Sequence, residues 1–131
     1  MSVRMFTVPC VLLAIVAAAT AADPGDAAAG KAFFSQTCMQ CHTADPNEGG
    51  GEIGPSLVGL IGRTAGVGDS RFVYSPALKD SKLIWNPQSL DHFLADPAAA
   101  VPGTTMPIPV PAKQDRDNLI AYFQSLSSGA K

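Results

Sequence analysis

Charge, cysteine and long apolar runs are all scarce in this chain, and each scarcity removes a class of protein. Of 131 residues only 15% are charged, nine basic against eleven acidic. Setting aside Arg4, which sits near the N-terminus, the net charge is about minus three. Such a mildly acidic balance argues against nucleic acid or a polyanionic membrane as the main partner. The strongly apolar run at 8–19 is only about a dozen residues long, short of the roughly 20 that a spanning helix needs, which argues against stable membrane insertion. No internal repeat, coiled-coil heptad or long low-complexity tract is present, so one domain with one modest core is expected.

What is there begins with an export signal. Arg4, the apolar run, and small residues ending in Ala19-Thr20-Ala21 or Thr20-Ala21-Ala22 read as a secretory signal peptide over 1–22. Cleavage near Ala21 or Ala22 leaves 23–131 as a domain in the periplasm. Cys10 departs with the leader, and Cys38 and Cys41 become the only cysteines.

Those two cysteines belong to Cys38-Met39-Gln40-Cys41-His42, a C-x-x-C-H run. Two thiols so spaced can add to the two vinyl groups of one porphyrin, with the adjoining imidazole placed to ligate its iron. A thioredoxin-like or metal-binding use of the same pair is the chemical rival. A disulfide between them would close so short a loop that it staples very little chain entropy. An exported thiol pair followed at once by histidine is better explained by one covalently bound haem c, held through Cys38 and Cys41.

Four helices are legible by pattern. Asp26 can cap a helix over 27–36, with Gly30 and Phe34 on one face. Ser75 and Pro76 suit the start of a short segment ending near Lys82, and Asn86 and Pro87 the start of a helix over 87–95 with Leu90, Phe93 and Leu94 on one face. The last, over 112–126, aligns Leu119, Tyr122, Phe123 and Leu126 and leaves Lys113, Asp115, Arg116, Asp117 and Gln124 for water. Its apolar face needs a partner, and the Gly30/Phe34 face is the natural candidate. Residues 43–54 and 64–70 read as loops, and 53–63, where apolar residues alternate with glycine, as chain wrapped on a flat apolar ligand. Residues 97–111 hold five prolines and no helical or strand period, so this backbone is expected to be stiff and extended.

A second iron ligand has few candidates. His92, the only other histidine, adjoins an apolar stripe and reads as a rim residue. Met106 lies 64 residues after His42, inside the rigid Pro102–Pro107 segment. A methionine is more often core filler than ligand, so on the residues alone its role stays open. Met39, between the haem cysteines, is expected to point away from the iron.

Taken in order, these residues resemble the small class I cytochromes c, close to the mitochondrial and bacterial periplasmic carriers, from Gly30 to Leu126. Gly54-Pro55-Ser56-Leu57-Val58-Gly59-Leu60-Ile61-Gly62-Arg63 looks like the family's G-P-x-L-x-G-x-x-G-R, and Pro102-Gly103-Thr104-Thr105-Met106 like its distal-ligand loop. The resemblance implies an all-α, class I cytochrome c fold of four to five short helices around one covalently bound haem. It implies His42 and Met106 as axial ligands, with Pro55 accepting from the His42 imidazole. Arg63, Tyr74 and Trp85 would hydrogen-bond around the buried propionates, and the Thr104 hydroxyl would lie near the ligating sulfur.

The activity implied is one-electron transfer by a non-catalytic, monomeric carrier. Its partners would be redox proteins: a dehydrogenase, a bc1-type reductase, an oxidase or a photosynthetic reaction centre. The alternatives are a haem subunit or dedicated acceptor of a periplasmic dehydrogenase, and an open-site haem enzyme or gas sensor. The chain departs from the family at Phe93, where the mitochondrial carriers hold a tyrosine, and at Leu78, Ile108 and Thr105, which replace a polar residue, an aromatic and a docking lysine. Only Lys31, Lys79, Lys82, Lys113 and Lys131 remain as lysines, which puts a lysine-rich docking face in doubt.

Overall fold

In the computed structural model, residues 24–51 and 53–128 are described. The leader over 1–22 and its cleavage site lie outside the described residues, as do Glu52 and the last three residues.

Each helix starts where a side chain can satisfy its free amides. Asp26 Oδ1 accepts from the N–H groups of Ala28 (2.7 Å) and Ala29 (3.2 Å) and opens α1, Ala27–Phe33. Ser75 caps α2, Pro76–Ser81, and Asn86 caps α3, Pro87–Ala95, through a reciprocal pair with Ser89; a proline stands at the start of each. These caps remove orphan donors at the helix N-termini, each typically worth about 1 kcal/mol.

Two stretches depart from the pattern. The first helix does not stop near residue 36. It widens into a π turn over Phe34–Cys38, with the Met39 N–H bonded to the Phe34 carbonyl five residues back at 3.0 Å. The proline-rich tract is not extended throughout either, because Asp96 accepts from the Ala99 N–H and nucleates the single-turn α4, Pro97–Ala100. Pro97 occupies a first-turn position where no donor is needed, so the proline that reads as a helix stop also starts a new turn.

The final helix, α5, spans Lys113–Ser128. It crosses α1 at Gly30, where an added Cβ would lie 2.0 Å from the Asn118 carbonyl oxygen. Backbone touches backbone there, and no side chain larger than hydrogen fits. Below the crossing, the Phe34 ring packs on Tyr122 and Phe123 with centroids 5.6 and 6.1 Å apart. Asp26 adds a tie, its N–H donating to Asn118 Oδ1 at 2.8 Å. The two ends of the domain are thereby bound together. Against the other flank of α5, the buried Leu90, Phe93 and Leu94 of α3 join Leu119, Ile120 and Phe123 in one core.

Arg116 does not face water as the amphipathic pattern has it. It is 9% exposed, and its Nε donates to Asp91 on α3 at 2.8 Å. Burial is tolerated because the guanidinium finds acceptors for its donors, whereas Lys113 on the next turn stays exposed and pairs with Asp117.

Among the described residues no strand forms, and only an isolated antiparallel bridge joins Thr64 to Ile84. No described helix is long and apolar enough to cross a membrane. The all-α architecture of five short helices is the one expected. Gly30→Ala should lower the stability of the haem-loaded protein by about 1–3 kcal/mol, read from its guanidinium midpoint. Gly51→Ala, where a Cβ meets nothing within 4 Å, should leave the midpoint within experimental scatter.

Candidate functional site

The helices leave a largely apolar cavity of about 330 Å³ between them and the loops. Its first wall comes from the π turn. After Cys38 the chain tightens, the N–H groups of Cys41 and His42 both bonding to the Cys38 carbonyl at 3.1 and 2.9 Å, and Cys38, Cys41 and His42 all line the cavity. Both thiols are free of any disulfide. Burial, reinforced by the neighbouring Cys41, pushes the Cys38 thiol up to about 11. A thioredoxin-like cysteine needs the opposite, a thiol that readily ionises. Nor do the described residues hold three His, Cys, Asp or Glu placed to grip a metal ion.

His42 is fixed by the glycine–proline turn opposite. Its Nδ1 donates to the Pro55 carbonyl at 2.9 Å. Since a carbonyl only accepts, Nδ1 carries the proton and Nε2 keeps its lone pair. Gly54 permits this approach: an added Cβ would lie 2.8 Å from two atoms of the imidazole. Burial lowers the His42 pKa, the Pro55 carbonyl partly opposing it, so the ring is neutral at physiological pH, as a metal ligand must be.

Asp69 holds that turn in place. Its Oδ2 accepts from the Gly50 and Ser56 N–H groups at 2.9 and 2.8 Å, and its Oδ1 from that of Arg71 at 3.0 Å. Sequence reasoning missed this residue, which lies in a turn-rich stretch and reads as loop. Its partners stand 13 and 19 positions away, and no local pattern reports such a pairing.

One end of the cavity is polar and incomplete. Arg63 donates from Nη1 to the Val58 carbonyl and from Nη2 to that of Ser56, at 3.2 and 3.0 Å. Its Nε, and the hydroxyl of Tyr74, are buried with no partner in the protein. Burial also pushes the Tyr74 hydroxyl above its ordinary value, the Arg63 charge opposing, so the phenol keeps its proton. Two orphaned donors cost several kcal/mol between them unless something accepts. Both residues line the cavity, and the acceptor that fits is an anionic oxygen group on an otherwise apolar ligand, as a haem propionate is. Trp85 closes this side, packed edge-on against Phe93 at 5.0 Å. The segment carrying it pairs with the Arg63 loop through Gly62 N–H to Trp85 O (2.7 Å), Trp85 N–H to Arg63 O (2.9 Å) and Ala65 N–H to Leu83 O (2.7 Å).

The remaining wall is the Thr104–Ile108 stretch. Thr104 donates its N–H to the Val101 carbonyl at 3.0 Å, and its Oγ1 accepts from the Met106 N–H at 3.5 Å. Met106 is half-buried against the core. All nine residues singled out from the sequence, Cys38, Cys41, His42, Pro55, Arg63, Tyr74, Trp85, Thr104 and Met106, therefore line one cavity. His92 is exposed and takes no part in it.

The family model for cytochrome c matches residues 27–127. The chain belongs to the cytochrome c family. Among relatives, the cytochrome c of Tetrahymena pyriformis is 43% identical over 103 residues, covering 78% of this chain and 90% of that one. The cytochrome c-type cyt cy of Rhodobacter capsulatus is also 43% identical over 103 residues, and there this chain spans only 50% of the relative's length. Among solved structures, cytochrome cH from Methylobacterium extorquens superposes with a TM-score of 0.70 at 41% identity, covering 77% of this chain and 99% of that one. As a cytochrome c, the chain holds haem c covalently through Cys38 and Cys41 and serves as an electron carrier, not a catalyst. Its partners are other redox proteins.

Asp69 makes the site sensitive to acid. Hydrogen bonding from the Ser56 N–H, with smaller help from Arg71 and Gly50, holds its carboxyl below the usual carboxylate range. The stabilisation is complete above the ordinary aspartate pKa and is lost as pH falls through the depressed one. Asp69→Ala should therefore flatten the fall in denaturation midpoint between about pH 5 and pH 2, measured by guanidinium titration of the haem-loaded protein at several pH values.

Proposed function

We propose that this protein is an exported, freely diffusing one-electron carrier whose haem iron would be held by His42 Nε2 and Met106 Sδ. The observation that carries the reading is that His42, with its Nδ1 committed to Pro55, and Met106, from a separate segment 64 residues on, line the same apolar cavity. Haem supplies an iron that cycles between Fe(III) and Fe(II), and the polypeptide does the rest. Cys38 and Cys41 tether the cofactor, and Pro55 fixes the imidazole plane and tautomer. The unpartnered donors of Arg63 and Tyr74 would meet the propionates, with Trp85 beside them. Leu57, Leu60, Leu90, Phe93 and Leu94 line the cavity and exclude water. With His42 held by Pro55 and Met106 by its own segment, bound haem would exchange an electron with little reorganisation of the chain. Residues 1–22 act as a cleaved leader, and the domain from residue 23 onward works in the periplasm.

Met106→Ala should lose the far-red absorption band expected of ferric Met–His coordination and gain rapid CO binding in the ferrous state. Retention of the band would refute the ligand assignment, and rapid CO binding by the unmutated protein at neutral pH would favour an open-site enzyme or sensor instead.

The rim of the cavity also bears on partners. Ile53, Val67 and Ile108 line it while remaining 72%, 52% and 47% exposed. An apolar rim suits a partner of matching apolar surface, such as a periplasmic dehydrogenase that uses this protein as its dedicated acceptor. The rate of electron exchange with such a partner should change less than about threefold over a tenfold rise in salt, where lysine-steered pairs change by about tenfold or more. Stopped-flow reduction across a salt series measures it.

A further inference from the structure

The Met106 segment is held by unusual means. Prolines at 107, 109 and 111 have no N–H to give, so from Pro107 to Pro111 only Ile108 and Val110 can donate. The Val110 N–H goes to the Leu94 carbonyl at 2.7 Å. Further anchorage comes through carbonyls, and one guanidinium nitrogen takes two of them: Arg116 Nη1 donates to the oxygens of Val110 and Pro111 at 2.9 and 2.7 Å. The same side chain, from α5, gives its Nε to Asp91 of α3 at 2.8 Å and is 10% exposed. Three separate pieces of the fold meet on it.

We propose that Arg116 is a positioning residue for the distal ligand, fixing the C-terminal anchor of the Met106 segment and so setting how firmly the methionine is held at the cavity. The proposal rests on Met106 being the sixth ligand. Val110 follows Met106 by four residues, a stretch that would span roughly 12 Å if extended as polyproline. Alternating prolines make that strut stiff, so a shift of its anchor is passed on to Met106 instead of being absorbed by backbone rotation. Lysine cannot replace the arginine fully: an ammonium has no planar fork with which to serve two adjacent carbonyls and a carboxylate in three fixed directions.

The experiment uses the haem-loaded ferric protein and titrates imidazole, which must displace Met106 to bind. Arg116→Lys is expected to stay folded by far-UV dichroism, weaken the far-red band and bind imidazole about tenfold more tightly. Ile120→Ala, a core change one turn further along the same helix that leaves every Arg116 hydrogen bond in place, is expected to lower the melting temperature while leaving imidazole affinity within about twofold. Pro109→Gly keeps every Arg116 bond but softens the strut, and is expected to tighten imidazole binding as well; it serves alone if Arg116→Lys does not fold. Unchanged affinity in both the Arg116 and Pro109 variants, or an equal gain in Ile120→Ala, overturns the proposal and leaves Arg116 a merely structural residue. A wild-type protein lacking the far-red band overturns the ligand reading and this proposal with it, whereas a normal band with unresponsive variants overturns this proposal alone.

Discussion

The hydrogen bond from His42 Nδ1 to the Pro55 carbonyl joins the covalent attachment run to the loop that wraps the cavity, and the site is built outward from it. On one side, His42 is two bonds of turn away from the end of the π helix that packs Phe34 on α5. On the other, Pro55 precedes Ser56, whose N–H is held by Asp69 and whose carbonyl accepts from Arg63. A single weak contact thus sits in a chain of contacts running from the helix crossing to the polar end of the cavity. Moving the imidazole means moving Gly54, Asp69 and Arg63 with it, which fixes the ring without a cage of many protein groups around it.

The parts legible in the sequence were those whose physics is local. Asp26, Ser75 and Asn86 cap helices because a side-chain oxygen reaches amides two or three residues on, and that reach is visible in one dimension. Gly30 stood out because a helical glycine is costly without a close neighbour. The nine candidate site residues were legible through family resemblance more than through periodicity, since the loops that carry Pro55, Arg63 and Met106 have no regular repeat. What stayed hidden depends on distant partners. Asp69 and Arg116 look like solvent-facing charges until the carbonyls and amides they serve are seen, and the α4 turn looks like a proline break until Asp96 is seen capping it. The π turn at Phe34–Cys38, which carries Phe34 onto α5 and Cys38 to the cavity, has no local signature either.

Electron carriage asks for two opposed qualities, a dry interior and an approachable edge, and the residue distribution divides them. Leu90, Phe93, Leu94 and Trp85 are buried, while Ile53, Val67 and Ile108 line the same cavity from its exposed margin. Polar demands are confined to one end, where Arg63 and Tyr74 keep unfilled donors. Such segregation lets an apolar plate enter with its charged edge oriented before any covalent bond is made to Cys38 or Cys41.

The alternating prolines of the Met106 segment have a consequence outside the folded state. An apolar stretch reading Ile-Pro-Val-Pro offers too few amide hydrogens in succession to extend a sheet on a neighbouring chain. Before the cofactor is attached, when the core that would shelter this stretch is incomplete, intermolecular strand pairing there has no ladder to follow. The same scarcity of amide hydrogens that leaves the Met106 segment anchored largely through its carbonyls makes it a poor edge for pairing between copies of the unfinished polypeptide.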